Sequence, residues 1–162
     1  MNSLTMASTI RRQVLQLLGA GVIVGSVPFV ARLALASPED LRAIKVYKSP
    51  SCGCCGRWTE YLKQNGFRPE VVDMDDISAL KRVAQVPDDL VSCHTAVVER
   101  YVVEGHVPVE AIRKMLSERP KIIGIAVPGM PSGSPGMPGG TRERFDVVAF
   151  ARKGKQRLFM SF

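Results

Sequence analysis

The sequence predicts an α/β fold in which helices flank a central mixed sheet. Two features predict it: short strand-like runs alternate with helical segments through residues 43–127, and Gly, Pro or Asn interrupts the chain between them. With 46% hydrophobic and 23% charged residues among 162, the composition is that of one globular domain plus a leader segment. A disordered chain and a multi-span membrane protein are both excluded.

The leader, residues 1–36, has the three parts of a secretory signal peptide. It contains no acidic residue, Arg11 and Arg12 precede an uncharged stretch, and residues 34–36 form a small-x-small cleavage pattern. The paired arginines resemble a twin-arginine signal, whose pathway carries folded cargo. We therefore expect residues 37–162 to form a domain exported to the periplasm. The alternative is an uncleaved anchor, because the uncharged stretch is just long enough to span a bilayer.

The net charge of +7 is partly a property of this leader. The 22 basic residues of the chain include three leader arginines, so the mature part keeps 19 against 15 acidic residues. These are scattered, with no basic stripe and few aromatic residues. Nucleic-acid binding is therefore not expected, and the leader is the only segment expected to contact a membrane.

The first elements of the mature domain are a strand and a helix. Residues 43–48 alternate apolar and polar side chains, as a half-buried strand does. Pro50 ends this strand. We predict a helix over residues 56–64, where apolar side chains recur at helical spacing and Asn65 and Gly66 stop the run.

A second strand and helix follow, and then a hairpin. Residues 68–74 are strand-like, and Asp75 and Asp76 lead a helix that ends near Pro87. Residues 95–99 and 101–104 are two strands with one residue between them, which predicts a tight antiparallel pair.

The remainder of the chain contains a third helix, a loop and two final strands. The helix is predicted at residues 108–116, and a short apolar run follows at residues 122–127. Residues 128–140, the Gly/Pro/Met loop, hold five glycines and four prolines, too many for regular structure. We predict that residues 145–150 and 157–162 close the chain as a hairpin.

The order strand, helix, strand, helix, hairpin, helix is that of a thioredoxin-like fold, in which a parallel β-α-β unit precedes an antiparallel pair. Proteins of that fold carry a Cys-x-x-Cys motif at the end of the first strand and the start of the first helix. Cys52 and Cys55 stand at that place here. The C-terminal hairpin and the Gly/Pro/Met loop exceed the minimal fold.

Three of the four cysteines fall within four residues, at Cys52, Cys54 and Cys55. Cysteines of exported proteins are usually paired in disulfides. A disulfide between cysteines this close in sequence closes no long loop, however, and therefore stabilises a fold little. At a helix N-terminus, the backbone N–H groups and the helix dipole lower the pKa of a thiol and favour the thiolate. Thiolates select copper(I), zinc or iron–sulfur clusters, and three sulfurs suit copper(I).

Cys93 and His94 form the second part of the expected site. They precede the third strand, which in thioredoxin-like folds passes beside the Cys-x-x-Cys motif and usually carries a cis-proline there. We predict that Cys93 completes the sulfur cluster; the alternative is a buried cysteine that packs as a small apolar side chain. Three roles fit His94 equally well: a metal ligand, a donor that orients the ligands, or a surface histidine.

Three further residues are candidate ligands. His106 follows the fourth strand and either reaches the cluster or is an ordinary turn histidine. Met130 and Met137 lie in the Gly/Pro/Met loop, and thioether sulfur is a soft, neutral ligand that suits copper(I). The alternative is a pair of exposed loop methionines that bind no metal.

Motifs for other chemistries are missing from the sequence. It has no Walker loop, no dinucleotide-binding glycine motif, no HExxH and no nucleophile elbow. With two histidines, a three-histidine zinc site within one chain is impossible.

Five segments together resemble a family of exported copper-resistance proteins, the thioredoxin-like CopG type. They are residues 47–55, 92–95, 101–108, 124–131 and 133–137. The resemblance covers nearly all of the chain from residue 44 to residue 162. It implies periplasmic copper handling, with copper(I) on the four cysteines and redox interconversion of copper as a further activity.

Two functions therefore compete. The first is a periplasmic copper(I)-binding protein for copper resistance or handling, working with other periplasmic copper-handling proteins. The second is a thiol–disulfide oxidoreductase, which the fold and the Cys-x-x-Cys spacing favour but the extra Cys54 and the missing proline do not. A structural zinc or iron–sulfur module is a weaker third. We favour the first, because four thiols exceed what disulfide exchange needs.

Overall fold

The computed structural model describes residues 43–141 and 143–162. The predicted signal peptide, with its twin arginines and its cleavage pattern, therefore lies outside the described residues. Among the described residues, no helix is both long enough and apolar enough to cross a bilayer.

The described chain contains strands and helices in the predicted order. The strands are β1 (Ala43–Lys48), β2 (Arg68–Asp73), β3 (His94–Val98), β4 (Tyr101–Glu104), β5 (Gly124–Ala126), β6 (Asp146–Phe150) and β7 (Gln156–Ser161). The helices are α1 (Gly53–Gln64), α2 (Ser78–Val83) and α3 (Val109–Glu118), with 3-10 turns at Asp88–Leu90 and Arg152–Gly154.

The described strands form one mixed sheet in the order β2-β1-β3-β4-β5-β6-β7. β1 is parallel to β2 and antiparallel to β3, β3 and β4 form an antiparallel hairpin, and β4 is parallel to β5. A parallel β-α-β unit followed by an antiparallel pair is the predicted thioredoxin-like arrangement. β6 and β7 extend the sheet as the predicted C-terminal hairpin.

Apolar side chains cover both faces of the sheet. Trp58 and Leu62 of α1 and Ile112 of α3 are fully buried in the larger core on one face. A smaller core on the other face lies under the segment between α2 and β3. Because neighbouring residues of a strand point to opposite faces, Val103 joins the larger core and Val102 the smaller one.

The three described helices begin at other residues than predicted, α3 by a single residue. α1 starts at Gly53, three residues early, because Cys52 takes an extended N-cap conformation and its carbonyl already accepts the Gly56 N–H over 3.2 Å. The cysteine cluster is thus the first turn of the helix and not its lead-in. α2 starts late, because the Asp76 carboxylate accepts the Ser78 N–H over 2.8 Å in a turn that precedes the helix.

Candidate metal centre

The candidate site lies where the end of β1, the start of α1, the start of β3 and the end of β4 meet. β3 runs antiparallel to β1 with His94 opposite Lys48, so the beginning of β3 adjoins the residues that follow β1. The Gly105 N–H, just after β4, donates to the His94 carbonyl over 3.0 Å. This pairing brings His106 to the same edge of the sheet.

The four cysteine sulfurs converge at this edge. Their ligand atoms all lie within 4.8 Å of one another. Cys54 Sγ is 3.5 Å from Cys52 Sγ and 3.8 Å from Cys93 Sγ. Cys55 Sγ lies 3.8 Å from the Cys93 carbonyl oxygen. The structure therefore brings together the four cysteines that the sequence analysis grouped.

Two of the four cysteines are joined in this structure. Cys52 and Cys55 form a disulfide, whereas Cys54 and Cys93 are free thiols. Cys52 is half-buried and Cys55 is buried. All four sulfurs can serve as thiolate ligands only after this disulfide takes up two electrons and opens to two thiolates.

Cys93 is also the meeting point of a second group of ligand atoms. Its Sγ lies 3.2 Å from His106 Nε2 and 3.4 Å from His94 Nδ1, and one ligand atom from each of these three residues again falls within 4.8 Å of the other two. Burial, followed by the neighbouring Cys54, raises the pKa of the Cys93 thiol to about 12. Without a metal, Cys93 therefore remains a protonated thiol at neutral pH.

His106 is fully buried, and its orientation is fixed by the Gly/Pro/Met loop. Its Nδ1 donates to the Pro135 carbonyl over 2.7 Å, so in the neutral ring the Nε2 lone pair faces Cys93. Burial lowers the pKa of His106, which favours this neutral form. A neutral imidazole with a free Nε2 lone pair is the form that binds metals. His106 therefore lies in the bend after β4, fully buried and with Nε2 beside Cys93, and its assignment as a metal ligand stays a prediction.

His94 is fully buried as well, so its interpretation as a surface histidine is wrong. Its ring lies 4.4 Å from the Trp58 ring and 5.0 Å from the His106 ring, measured between centroids. Burial is the first cause that lowers the pKa of His94, and the nearby His106 and Lys81 are the next. Its Nε2 is buried without a hydrogen-bond partner in the part of the chain that the structure describes. Of the three roles considered for His94, two are left: a metal ligand and a group that orients the ligands.

The Gly/Pro/Met loop packs directly against the first turns of α1. Arg57 Nε donates to the Gly136 carbonyl over 2.9 Å. A Cβ on Gly136 would lie 2.6 Å from the Trp58 nitrogen and 2.9 Å from the Cys54 carbonyl oxygen, so only glycine fits there. This loop therefore forms a wall of the site, through Pro135 and Gly136.

The structure places the two candidate methionines at either side of these wall residues. Met130 is 41% exposed and has a φ of 53°, and Met137 is half-buried. The contacts described for the loop belong to Pro135 and Gly136. The assignment of the two thioethers as ligands stays a prediction.

Sequence reasoning missed the residues that hold the loop in place. The sequence carries no pattern that identifies the contact of the Arg57 side chain, and Pro135 contributes through its backbone carbonyl. Gly136 carried the one available signal, because a glycine is required where φ is 83°.

The chain is similar to two solved structures, described as copper resistance protein CopG, form 2 and form 1. Sequence identities are 41% and 42%, and the TM-score is 0.70 for each. The alignments cover 74% of this chain and 97% and 96% of those chains. Residues 90–137 match a family model described as a protein of unknown function, DUF411. Comparison with the curated proteins found no match.

Proposed function

Because the chain belongs to the CopG family of copper-resistance proteins, we propose that it binds copper(I) in the periplasm as part of copper resistance. The observation that carries this proposal is the convergence of four cysteine sulfurs within 4.8 Å of one another. Sulfur is the soft ligand that copper(I) prefers, whereas magnesium, calcium and manganese prefer carboxylates. Neither of the two converging groups found among the described residues contains a carboxylate.

In this proposal Cys52, Cys54, Cys55 and Cys93 bind copper(I) as thiolates. His94 and His106 add neutral imidazole nitrogens on the side of Cys93. The Sγ–Nε2 distance of 3.2 Å and the Sγ–Nδ1 distance of 3.4 Å support this, because one ion between these atoms needs only small adjustments.

Met130 and Met137 are proposed as auxiliary copper(I) ligands on the Gly/Pro/Met loop. Thioether sulfur binds copper(I) without a proton to release, and it survives in an oxidising compartment. The contacts of Pro135 and Gly136 with His106 and α1 support the proposal, since they hold the intervening loop at the site.

We include a redox activity in the proposal. Opening the Cys52–Cys55 disulfide requires two electrons, and two copper(I) ions supply two electrons when they become copper(II). In the reverse direction, closing the disulfide reduces two copper(II) ions. The position of the disulfide within the sulfur group supports direct exchange of these electrons.

The proposed location is the periplasm, reached through the leader of residues 1–36. Its paired arginines and small-x-small pattern support export. Other periplasmic copper-handling proteins are the proposed partners. Replacing Arg11 and Arg12 by lysine should keep the full-length protein out of the periplasmic fraction, and a protein exported unchanged would contradict the twin-arginine route.

A copper titration tests the proposed function. Reduced, anaerobic protein of residues 37–162 is titrated with copper(I) against a chromophoric copper(I) chelator, and the bound metal is counted by elemental analysis. We expect copper(I) to be withdrawn from the chelator, and Cys54→Ser or Cys55→Ser to lose most of it. Ser49→Ala, beside the cluster, is the control that should bind like the wild type. Failure to compete, or equal binding by the cysteine variants, contradicts the proposal.

One observation favours the second function, thiol–disulfide exchange with other proteins. The Cys52–Cys55 disulfide lies at the N-terminus of α1, and Cys52 is partly accessible to solvent. Insulin reduction separates the two functions. Activity that requires Cys52 and survives Cys93→Ser would favour the oxidoreductase, whereas no insulin reduction together with copper binding supports the first function.

A further inference from the structure

A network of buried polar side chains lies behind the metal-binding residues. Glu104 is fully buried, and the Lys81 side chain is 9% exposed. Lys81 Nζ donates to Glu104 Oε1 over 2.6 Å and to Thr95 Oγ1 over 2.8 Å. Thr95 Oγ1 in turn donates to Glu104 Oε2 over 2.6 Å. None of these three residues belongs to the proposed ligands.

The remaining hydrogen bond of this network goes to the backbone beside the site. The Ser92 N–H donates to Glu104 Oε1 over 2.6 Å. Ser92 immediately precedes Cys93, and Thr95 immediately follows His94. One carboxylate therefore holds the chain on both sides of the Cys93-His94 pair.

The residue after Glu104 restricts the same segment further. A Cβ on Gly105 would lie 2.5 Å from Ser92 Oγ, and the Gly105 N–H donates to the His94 carbonyl over 3.0 Å. Glu104 and Gly105 thus contact the chain immediately before and after Cys93. The position of Cys93 is set from the end of β4.

Stability alone explains this network poorly. An ion pair taken out of water loses hydration that its mutual attraction often does not recover, and apolar replacements of buried pairs are often no less stable. The position of Cys93, by contrast, decides whether the site exists, because its Sγ lies 3.8 Å from Cys54 Sγ and 3.2 Å from His106 Nε2. A small shift of this sulfur separates the two groups of ligand atoms.

We propose that Glu104 is a positioning residue of the metal centre. Held by Lys81 and Thr95, its carboxylate fixes the Ser92 N–H and, through it, the place of Cys93. The effect on copper rests on the proposed function, but the placement of Cys93 is a property of the metal-free protein too. Loss of groups that orient metal ligands weakens metal binding by about 10–100-fold, and we expect a loss of that size.

Three variants of the protein of residues 37–162 separate positioning from stability. Lys81→Met combined with Glu104→Leu removes both charges at similar volume, and Glu104→Gln keeps a carbonyl oxygen for the Ser92 N–H. Met115→Ala is the control, because it truncates a core side chain of α3 and leaves the network intact. Copper(I) affinity is measured on reduced protein. In metal-free protein with the disulfide closed, mass spectrometry gives the alkylation rates of Cys93 and Cys54 by iodoacetamide.

The double variant should bind copper(I) at least about tenfold more weakly, with a raised ratio of Cys93 to Cys54 alkylation. Glu104→Gln should retain affinity within about threefold, because it rescues the Ser92 contact. Met115→Ala should lower the melting temperature and change neither readout. A folded double variant with wild-type affinity and alkylation ratio overturns the proposal.

Two further outcomes also decide whether Glu104 positions Cys93. If the double variant does not fold, Thr95→Val replaces it, since it removes only the Thr95 hydroxyl, with its hydrogen bonds to Glu104 Oε2 and Lys81 Nζ; a wild-type alkylation ratio in Thr95→Val then overturns the proposal. If the wild type binds no copper(I), the proposed function fails. The alkylation ratio of the metal-free variants still determines whether Glu104 positions Cys93.

Discussion

The Sγ atoms of Cys54 and Cys93 lie 3.8 Å apart, although 39 positions separate the two residues along the chain. Through this contact, Cys93 joins the sulfurs of α1 to the two buried imidazoles beyond it. Cys93 is thus common to both groups of converging ligand atoms.

The first prediction follows from that shared position. Cys93→Ser should weaken copper(I) binding by at least about an order of magnitude, because it removes a ligand from both groups. His106→Gln removes a ligand from one group only and should weaken binding less. Competition titrations with a copper(I) chelator give both affinities. If Cys93→Ser and the wild type bind copper(I) with equal affinity, Cys93 is not a ligand.

The second prediction concerns the oxidation state of the cysteines. Metal-free protein, denatured under non-reducing conditions, should show two reactive thiols, from Cys54 and Cys93, since Cys52 and Cys55 are paired. After reduction it should show four. Thiol titration gives the count, and peptide mapping identifies the pair. A Cys54–Cys93 bond with Cys52 and Cys55 free would contradict the pairing described here.

The third prediction concerns the loop that walls the site. Gly136 and Gly139 have φ values of 83° and 80°, so an alanine at either position costs about 1–2 kcal/mol in backbone strain. Gly136→Ala should cost more, because its Cβ would meet Trp58 and Cys54, whereas nothing lies within 4 Å at Gly139. Thermal unfolding of both variants measures the difference. Equal losses of stability would mean that the loop does not pack on α1 as described.

The fourth prediction is a dependence of stability on pH. Burial lowers the pKa of both His94 and His106, whereas in the unfolded chain both titrate near 6.5. Below pH 6.5 the unfolded state therefore binds more protons than the folded state, and the free energy of unfolding falls as the pH falls. The slope approaches about 2.7 kcal/mol per pH unit while both folded histidines stay neutral.

Urea unfolding of the metal-free protein between pH 5 and pH 7.5 measures this slope. His106→Gln should reduce it, because one of the two titrating imidazoles is then missing. A variant whose slope matches that of the wild type would mean that His106 has the same pKa in the folded and the unfolded protein.

Local sequence patterns predicted the elements of the fold and their order. The alternation in β1 and the helical spacing around Trp58 are local signals, and each led to the correct element. The start of α1 was misplaced, because the glycines beside the cysteines resemble turn residues while Cys52 already caps a helix. Periodicity carries no information about such an N-cap.

The candidate site was only partly predictable, for a different physical reason. The motif-like spacing of Cys52, Cys54 and Cys55 was visible in the sequence, and the fold assignment placed Cys93 near them. The partners of His106 and the buried contacts of Glu104 arise from tertiary packing, between residues up to 29 positions apart. No local pattern encodes which backbone carbonyl a buried histidine will meet.

The buried thiol of Cys93 gives the proposed copper binding a further property. Since its pKa is about 12, a metal ion that binds this sulfur must displace a proton into the surrounding water. Capture is then an exchange of cations, and each unit of acidification should weaken this bond about tenfold. If the chain binds copper as proposed, it should release the ion most readily where the medium turns acid.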